Sequence, residues 1–318
     1  MAVVLITSEY FGKLSTRGKE LLVEAGHEVI ENPYGHKFLS EEEIIPHIGK
    51  ADAIVCDLEK ITRKVMDAAP HLKIISRRGI GVDSVNLEEA QKREILVART
   101  MGVVENAVSE LVMAYILTHA RKIRELDCDM KKHKWNKILG SSMEGKTLGI
   151  IGLGNIAAEV VKKAKAFDMK IVYFDIYRSE EKEEALGVTY MALENLLNQA
   201  DYITLHMPLN SGTEKMFNYE LFCKMKPTAF FINTARGAIV DENGLYRALK
   251  EGRITGAAID VFDMEPKENS VLCEFKNVIL TPHVATFTRE TFIQMDILAV
   301  KNIIDFFNGV QNEINRAF

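Results

Sequence analysis

Cysteine is scarce in this chain of 318 residues: Cys56, Cys128, Cys223 and Cys273 stand far apart and form no CxxC pair. That spacing excludes a disulfide framework and a cysteine zinc site, and it reads as reduced thiols that are mostly buried. Long apolar runs are missing too, none approaching the roughly 20 residues of a membrane-spanning helix. Charge of one sign is not in excess: the net value is −5 with both signs mixed along the chain. No broad basic face is therefore expected, and nucleic acid is not the expected partner. Residues 1–7 carry no basic leader, so no export signal is expected and the expected compartment is the cytoplasm. Short repeats and low-complexity tracts are also absent, and no metal site is expected. These absences leave a small molecule as the expected ligand.

The chain is longer than one hydrophobic core usually serves, so two domains are expected. Apolar, β-rich runs at 3–7, 27–31, 53–56, 72–76 and 95–98 alternate with helical patterns near 17–25, 41–48 and 62–69. A second set of strand-like runs follows at 147–151, 171–174, 201–205, 229–233, 256–260 and 278–281. Such alternation means βαβ units and parallel sheets. Between the sets, residues near 105–124 are apolar at Val108, Leu111, Val112, Ala114, Tyr115, Ile116 and Leu117, too many for one buried stripe. The pattern predicts a long helix covered on several sides. A last helical pattern near 289–308 comes too late to extend the second sheet and is expected to return to the first domain.

A glycine-rich turn opens the second set. Leu148-Gly149-Ile150-Ile151 runs into Gly152-Leu153-Gly154-Asn155-Ile156-Ala157, and the next apolar run ends in Asp175, 23 positions beyond Gly152. A strand feeding directly into a helix leaves the first helical N–H groups unpaired, and a pyrophosphate can bind there if no side chains intervene. Gly152 and Gly154 remove those side chains. A carboxylate at the tip of the following strand accepts hydrogen bonds from the ribose hydroxyls and repels a 2′-phosphate, so the expected cofactor is NAD. Ala157 stands where the fingerprint's third glycine serves helix packing, a tolerated exchange.

Three further segments fall at strand ends, where ligands bind in an open parallel sheet. They are Asn233-Thr234-Ala235-Arg236-Gly237, Asp260-Val261-Phe262-Asp263-Met264-Glu265-Pro266 and Leu280-Thr281-Pro282-His283-Val284-Ala285. Together they hold the parts of a hydride-transfer site. His283 can exchange a proton with a substrate oxygen near neutral pH. Glu265 can fix its tautomer, and the planar guanidinium of Arg236 matches a carboxylate with two parallel hydrogen bonds. A 2-hydroxy or 2-keto acid is the natural substrate of such a set.

With these residues in view, the segments at 145–157, 231–241, 256–266 and 280–285 resemble the D-isomer-specific 2-hydroxyacid dehydrogenase family, and the likeness covers nearly the whole chain. The closest resemblance is to short phosphoglycerate dehydrogenase-like members. It implies an α/β fold of two doubly wound, Rossmann-like parallel-sheet domains. An NAD-binding domain at 102–286 would be inserted into a discontinuous, flavodoxin-like substrate domain at 1–101 and 287–318. It implies Arg236, Glu265 and His283 as the catalytic residues. It also implies cofactor contacts at Gly152, Gly154, Asn155, Ile156, Asp175, His206, Met207, Pro208, Thr234, Ala235 and Asp260, the last to the nicotinamide carboxamide. Ile75-Ser76-Arg77-Arg78-Gly79-Ile80-Gly81-Val82-Asp83 resembles the family's substrate loop, so Arg77, Arg78, Gly79, Ile80 and Gly81 are expected to bind the substrate carboxylate, largely through backbone amides. A homodimer through the cofactor domains and the helix near 105–124 is implied as well.

Three departures and one alternative bear on these expectations. Val104 replaces a polar residue that often lines the active site, which argues against phosphoglycerate itself and makes glyoxylate or hydroxypyruvate the alternative. Arg78 stands where a smaller residue is usual, and it is expected either to favour a dianionic substrate or to sit in a surface ion pair. The regulatory extension of long phosphoglycerate dehydrogenases is not present in the sequence, so feedback through it is not expected. Trp135 is expected in the core, with reach toward a partner subunit as the other reading. A different class of relative, the NADH-sensing corepressors that bind peptides, retains the same three residues but adds extended tails.

Overall fold

Val3-Val4-Leu5-Ile6, Ala53-Ile54-Val55-Cys56 and Phe230-Phe231-Ile232-Asn233 are apolar at nearly every position, as strands covered on both faces must be. Each is a parallel strand in the computed structural model, which describes every residue except His36 and Glu268. Among the described residues β1 (Val3–Ile6), β2 (Glu28–Ile30), β3 (Ala53–Cys56), β4 (Ile74–Arg77) and β5 (Leu96–Ala98) form one sheet in the order β2-β1-β3-β4-β5. A second sheet holds β6 (Thr147–Ile151), β7 (Lys170–Phe174), β8 (Thr189–Tyr190), β9 (Tyr202–Leu205), β10 (Phe230–Asn233), β11 (Gly256–Ile259) and β12 (Val278–Leu280). Its order is β12-β11-β10-β9-β6-β7-β8. The chain divides into two compact units, Met1–Val104 with Thr286–Phe318, and Glu105–Ala285.

In the first unit the strand order is that of flavodoxin-like sheets. Successive side chains face opposite layers: Leu5, Ile54 and Ile75 join one core, and Val4, Val55 and Ile74 the other. The helix Arg289–Phe307 closes the second of these cores with Ala299, Val300 and Ile303, so the C-terminal segment belongs to this unit. The second unit has the doubly wound order with one strand added at its edge. Ile203, Phe231 and Ala257 pack into one layer, and Tyr202, Phe230 and Ala258 into the other. Winding reverses between β6 and β9, and the glycine turn follows β6.

Several expectations are corrected here. The helix predicted near 105–124 runs only Glu105–Ala120; Lys122 takes a left-handed conformation at φ 54° and a separate helix, Ile123–Lys131, follows. Only Cys56 is buried, whereas Cys128, Cys223 and Cys273 are exposed, because the last three lie on helices and turns at the surface. Trp135 is not in a core: it is 79% exposed, in a segment whose neighbour Leu139 is 95% exposed.

Arg78 does not sit in a surface ion pair but in a buried one. Its side chain is 2% exposed; Nε donates to Asp296 at 2.5 Å and Nη1 to Asp57 at 3.2 Å. Its Cζ lies 4.4 Å from the centroid of the Phe292 ring. Asp296 also accepts from the Gly12 amide at 3.0 Å, and Asp57 from the Ser8 hydroxyl at 2.5 Å. One guanidinium therefore joins the segments after β1, β3 and β4 to the last helix. Breaking such a pair leaves buried charge uncompensated. Arg78→Met, close in volume, is expected to lower the urea-unfolding free energy by about 3–5 kcal/mol; an unchanged midpoint would show the pair to be dispensable.

Candidate active site

Gly152 ends β6 with φ 92°, and a Cβ there would come within 2.9 Å of the His206 backbone, so only glycine lets the turn pack against residues 206–207 after β9. Gly154 caps the helix Asn155–Lys165 without a side chain, and a Cβ on it would meet nothing within 4 Å. The amides of Asn155 and Ile156 have no acceptor among the described residues, and the helix dipole adds partial positive charge at that end. Ala157 is fully buried and seats the helix on the sheet. Asp175, at the tip of β7, accepts from the Leu153 amide at 2.8 Å and from the Tyr177 amide at 3.2 Å, which holds its carboxylate beside the turn. His206 bonds Thr204 Oγ1 through Nε2 at 3.0 Å, and burial pushes its pKa down to about 3, so its imidazole is neutral. Met207 is half-buried and Pro208 exposed on the same connection. Ala235 is buried, and the buried Thr234 hydroxyl has no hydrogen-bond partner among the described residues. An orphaned hydroxyl, free helix-end amides and an open cradle over Gly154 fit a dinucleotide.

The chemistry-bearing loops follow β10, β11 and β12, whose ends lie side by side. Asn233, fully buried, accepts from the Ala235 amide at 3.0 Å and donates to the Arg236 carbonyl at 2.9 Å, fixing the turn that carries Arg236. A Cβ on Gly237 would fall 1.9 Å from the Phe262 carbonyl carbon, so glycine is what allows this loop to press against the one after β11. Glu265 Oε1 accepts from the Phe262 amide at 2.8 Å, and Oε2 bonds His283 Nδ1 at 2.6 Å. Burial pushes the Glu265 carboxyl up, but the His283 bond, the Phe262 amide and the charge of Arg236 outweigh it and leave the pKa below its ordinary value. Nε2 of His283 makes no hydrogen bond among the described residues. The fully buried Asp260 accepts through its side chain from Thr281 Oγ1 at 2.5 Å and from the Val284 and Ala285 amides at 2.9 Å.

The arrangement can hold a tautomer, present one ring nitrogen, and place a guanidinium beside it. In the first unit, the amides of Ile80 and Gly81 have no acceptor among the described residues, while Arg77 turns inward and donates to the Arg78 carbonyl at 2.5 Å. Gly79 leaves room for that guanidinium, which a Cβ would overlap. Val104, 2% exposed, packs with Phe292 and Met295. Sequence reasoning missed Asn233 and Gly237 as supports of Arg236, although both lie within the segment it singled out.

The family model for the NAD-binding domain of D-isomer specific 2-hydroxyacid dehydrogenases matches residues 113–285. A glyoxylate reductase of Thermococcus litoralis is 41% identical over 276 residues, which are 84% of this chain and 83% of that protein. The chain belongs to the D-isomer-specific 2-hydroxyacid dehydrogenase family. A D-3-phosphoglycerate dehydrogenase of Archaeoglobus fulgidus is 37% identical over 87% of this chain but 54% of that protein. Among solved structures, a D-lactate dehydrogenase of Aquifex aeolicus complexed with NAD and lactic acid has a TM-score of 0.87 at 28% identity, covering 99% of this chain and 98% of that one. This dehydrogenase uses NAD to interconvert a 2-hydroxy acid and its 2-keto acid. No helix is long and apolar enough to cross a membrane, and no group of side chains that could hold a metal ion occurs among the described residues.

The pair Glu265–His283 carries a pH signature. A carboxyl with a depressed folded pKa contributes stability that is fully present above its ordinary value of 4.5 and is lost as pH falls through the lower folded value. In a thermal-melting series from about pH 6 to about pH 3, Glu265→Gln is expected to show a shallower acid decline than the native dehydrogenase. Parallel curves would contradict the pairing.

Proposed function

We propose that this dehydrogenase acts as a reductase of small, singly charged 2-keto acids of the glyoxylate class. The observation that carries the reading is the 2.6 Å bond from Glu265 to His283 Nδ1, with Arg236 close enough to depress the Glu265 carboxyl. The Asn155 and Ile156 amides would hold the pyrophosphate, Asp175 the ribose hydroxyls, and the Thr234 hydroxyl a polar group of the same coenzyme. NADH, when bound, supplies the hydride. Arg236 pairs with the substrate carboxylate and polarises the adjacent carbonyl. His283, oriented through Nδ1 by Glu265, passes a proton from Nε2 to the carbonyl oxygen, giving the hydroxy acid.

Substrate size and charge follow from what is not available. Arg78 is engaged by two carboxylates and so offers no cation for a phosphate group. Several similar proteins bear the name glyoxylate reductase. Screening NADH oxidation over glyoxylate, hydroxypyruvate, pyruvate, 2-ketoglutarate and phosphohydroxypyruvate tests the assignment, with NADPH as a parallel arm. Glyoxylate or hydroxypyruvate is expected to give the highest kcat/KM, with NADH preferred over NADPH. Preference for phosphohydroxypyruvate would refute the size and charge argument, and preference for NADPH the role of Asp175.

The same reading includes a homodimer in the cytoplasm. The helix Ile123–Lys131 has no buried residue, and the exposed Trp135 and Leu139 follow it. Apolar surface of that kind is what a second copy of the chain would cover. The cysteines are unpaired, as in a reducing compartment. Sedimentation is expected to show a dimer for the native chain and a shift toward monomer for Trp135→Ser combined with Leu139→Ser; a native monomer would overturn the proposal.

A further inference from the structure

Tyr115 lies on the helix Glu105–Ala120 with 3% of its surface exposed, and its hydroxyl contacts Thr281 Oγ1. Thr281 is two residues before His283 and bonds Asp260 Oδ1 at 2.5 Å. Asp260 in turn takes the Val284 and Ala285 amides on its carboxylate and the His283 amide on its backbone carbonyl, the last at 2.8 Å. His283 itself is left-handed at φ 52°. A residue other than glycine keeps such a conformation only where its surroundings impose it, and here the bonds on the backbone around His283 end mainly on Asp260, with the Thr281 carbonyl also taking the His283 amide at 3.1 Å.

The direction of the chain is fixed by proton counting. A carboxylate only accepts, and threonine has a single hydroxyl proton. That proton goes to Asp260, which leaves the Tyr115 phenol as the donor, toward Thr281 Oγ1 and the Asp260 carboxylate beside it. Burial, with the charge of Asp260 added, pushes the phenol well above its ordinary pKa, which keeps it a donor. Phenylalanine at this position would preserve the ring packing and remove only the donor.

We infer that Tyr115, acting through Thr281 and Asp260, is a positioning residue for the proton-transferring His283. The inference rests on the dehydrogenase reading of His283 given above. Without the phenol, Thr281 Oγ1 can turn away from Asp260, the Asp260 carboxylate loses support from both hydroxyls, and the loop carrying the imidazole gains a second arrangement. The glycine turn after β6 takes part in none of these bonds.

Steady-state kinetics with glyoxylate and NADH, fluorescence titration of NADH, and proton NMR of the enzyme without coenzyme test the relay together. Tyr115→Phe is expected to lower kcat about ten-fold, the worth of one buried hydrogen bond, with NADH affinity and KM changed less than about two-fold. Thr281→Val is expected to lose as much, and Thr281→Ser to recover most of it. The double variant Tyr115→Phe with Thr281→Val should be no worse than either single change, because both break one chain. In NMR, the imidazole line that vanishes in His283→Ala should broaden or split in Tyr115→Phe. An unchanged kcat, a sharp single imidazole line, or additive losses would overturn the inference. A native chain without turnover would refute the dehydrogenase reading and leave the imidazole line to decide the relay.

Discussion

Parallel pairing of the strands in the second unit is the constraint from which its chemistry follows. It brings the carboxyl ends of β6, β9, β10, β11 and β12 to one edge, so residues far apart in sequence become neighbours through strand order alone. The glycine turn sits at the reversal of winding, beside residues 206–207, and the loops bearing Arg236, Glu265 and His283 follow on three adjacent strands. Backbone and side-chain bonds then lock those loops to one another: Asn233 to its own turn, Gly237 against Phe262, and Asp260 to the segment around His283.

That edge was legible in the sequence because parallel strands announce themselves as short, continuous apolar runs and because ligand-binding residues follow them directly. The helix Glu41–Ile48 and the strand Ala53–Cys56 lie where the periodicity places them. Short elements without a strong pattern were not legible. β8 has two residues at the sheet edge, and the helix Leu87–Lys92 buries little more than Ala90. The break at Lys122 carries neither proline nor glycine to mark it.

Interactions over long sequence separation were illegible for a different reason. Arg78 and Asp296 are 218 positions apart, and no local pattern tells a cation that faces substrate from one that ties loops together. Trp135 shows the converse: a large apolar residue suggests a core until the fold shows that nothing in its own unit covers it. The exposed cysteines follow the same lesson, since burial belongs to the packing of a residue's element rather than to its type. The catalytic assignment depends less on such detail, because a histidine, a glutamate and an arginine at consecutive strand ends leave few other arrangements.

The central claim is that His283, backed by Glu265, moves the proton while other residues hold the coenzyme. Its most direct test is single-turnover NADH oxidation by His283→Ala, mixed with saturating keto acid, alongside a fluorescence titration of NADH into the same variant. The account predicts a loss of at least about a hundred-fold in the chemical step, with NADH bound as in the native enzyme. Native-like single-turnover rates in that variant would contradict it.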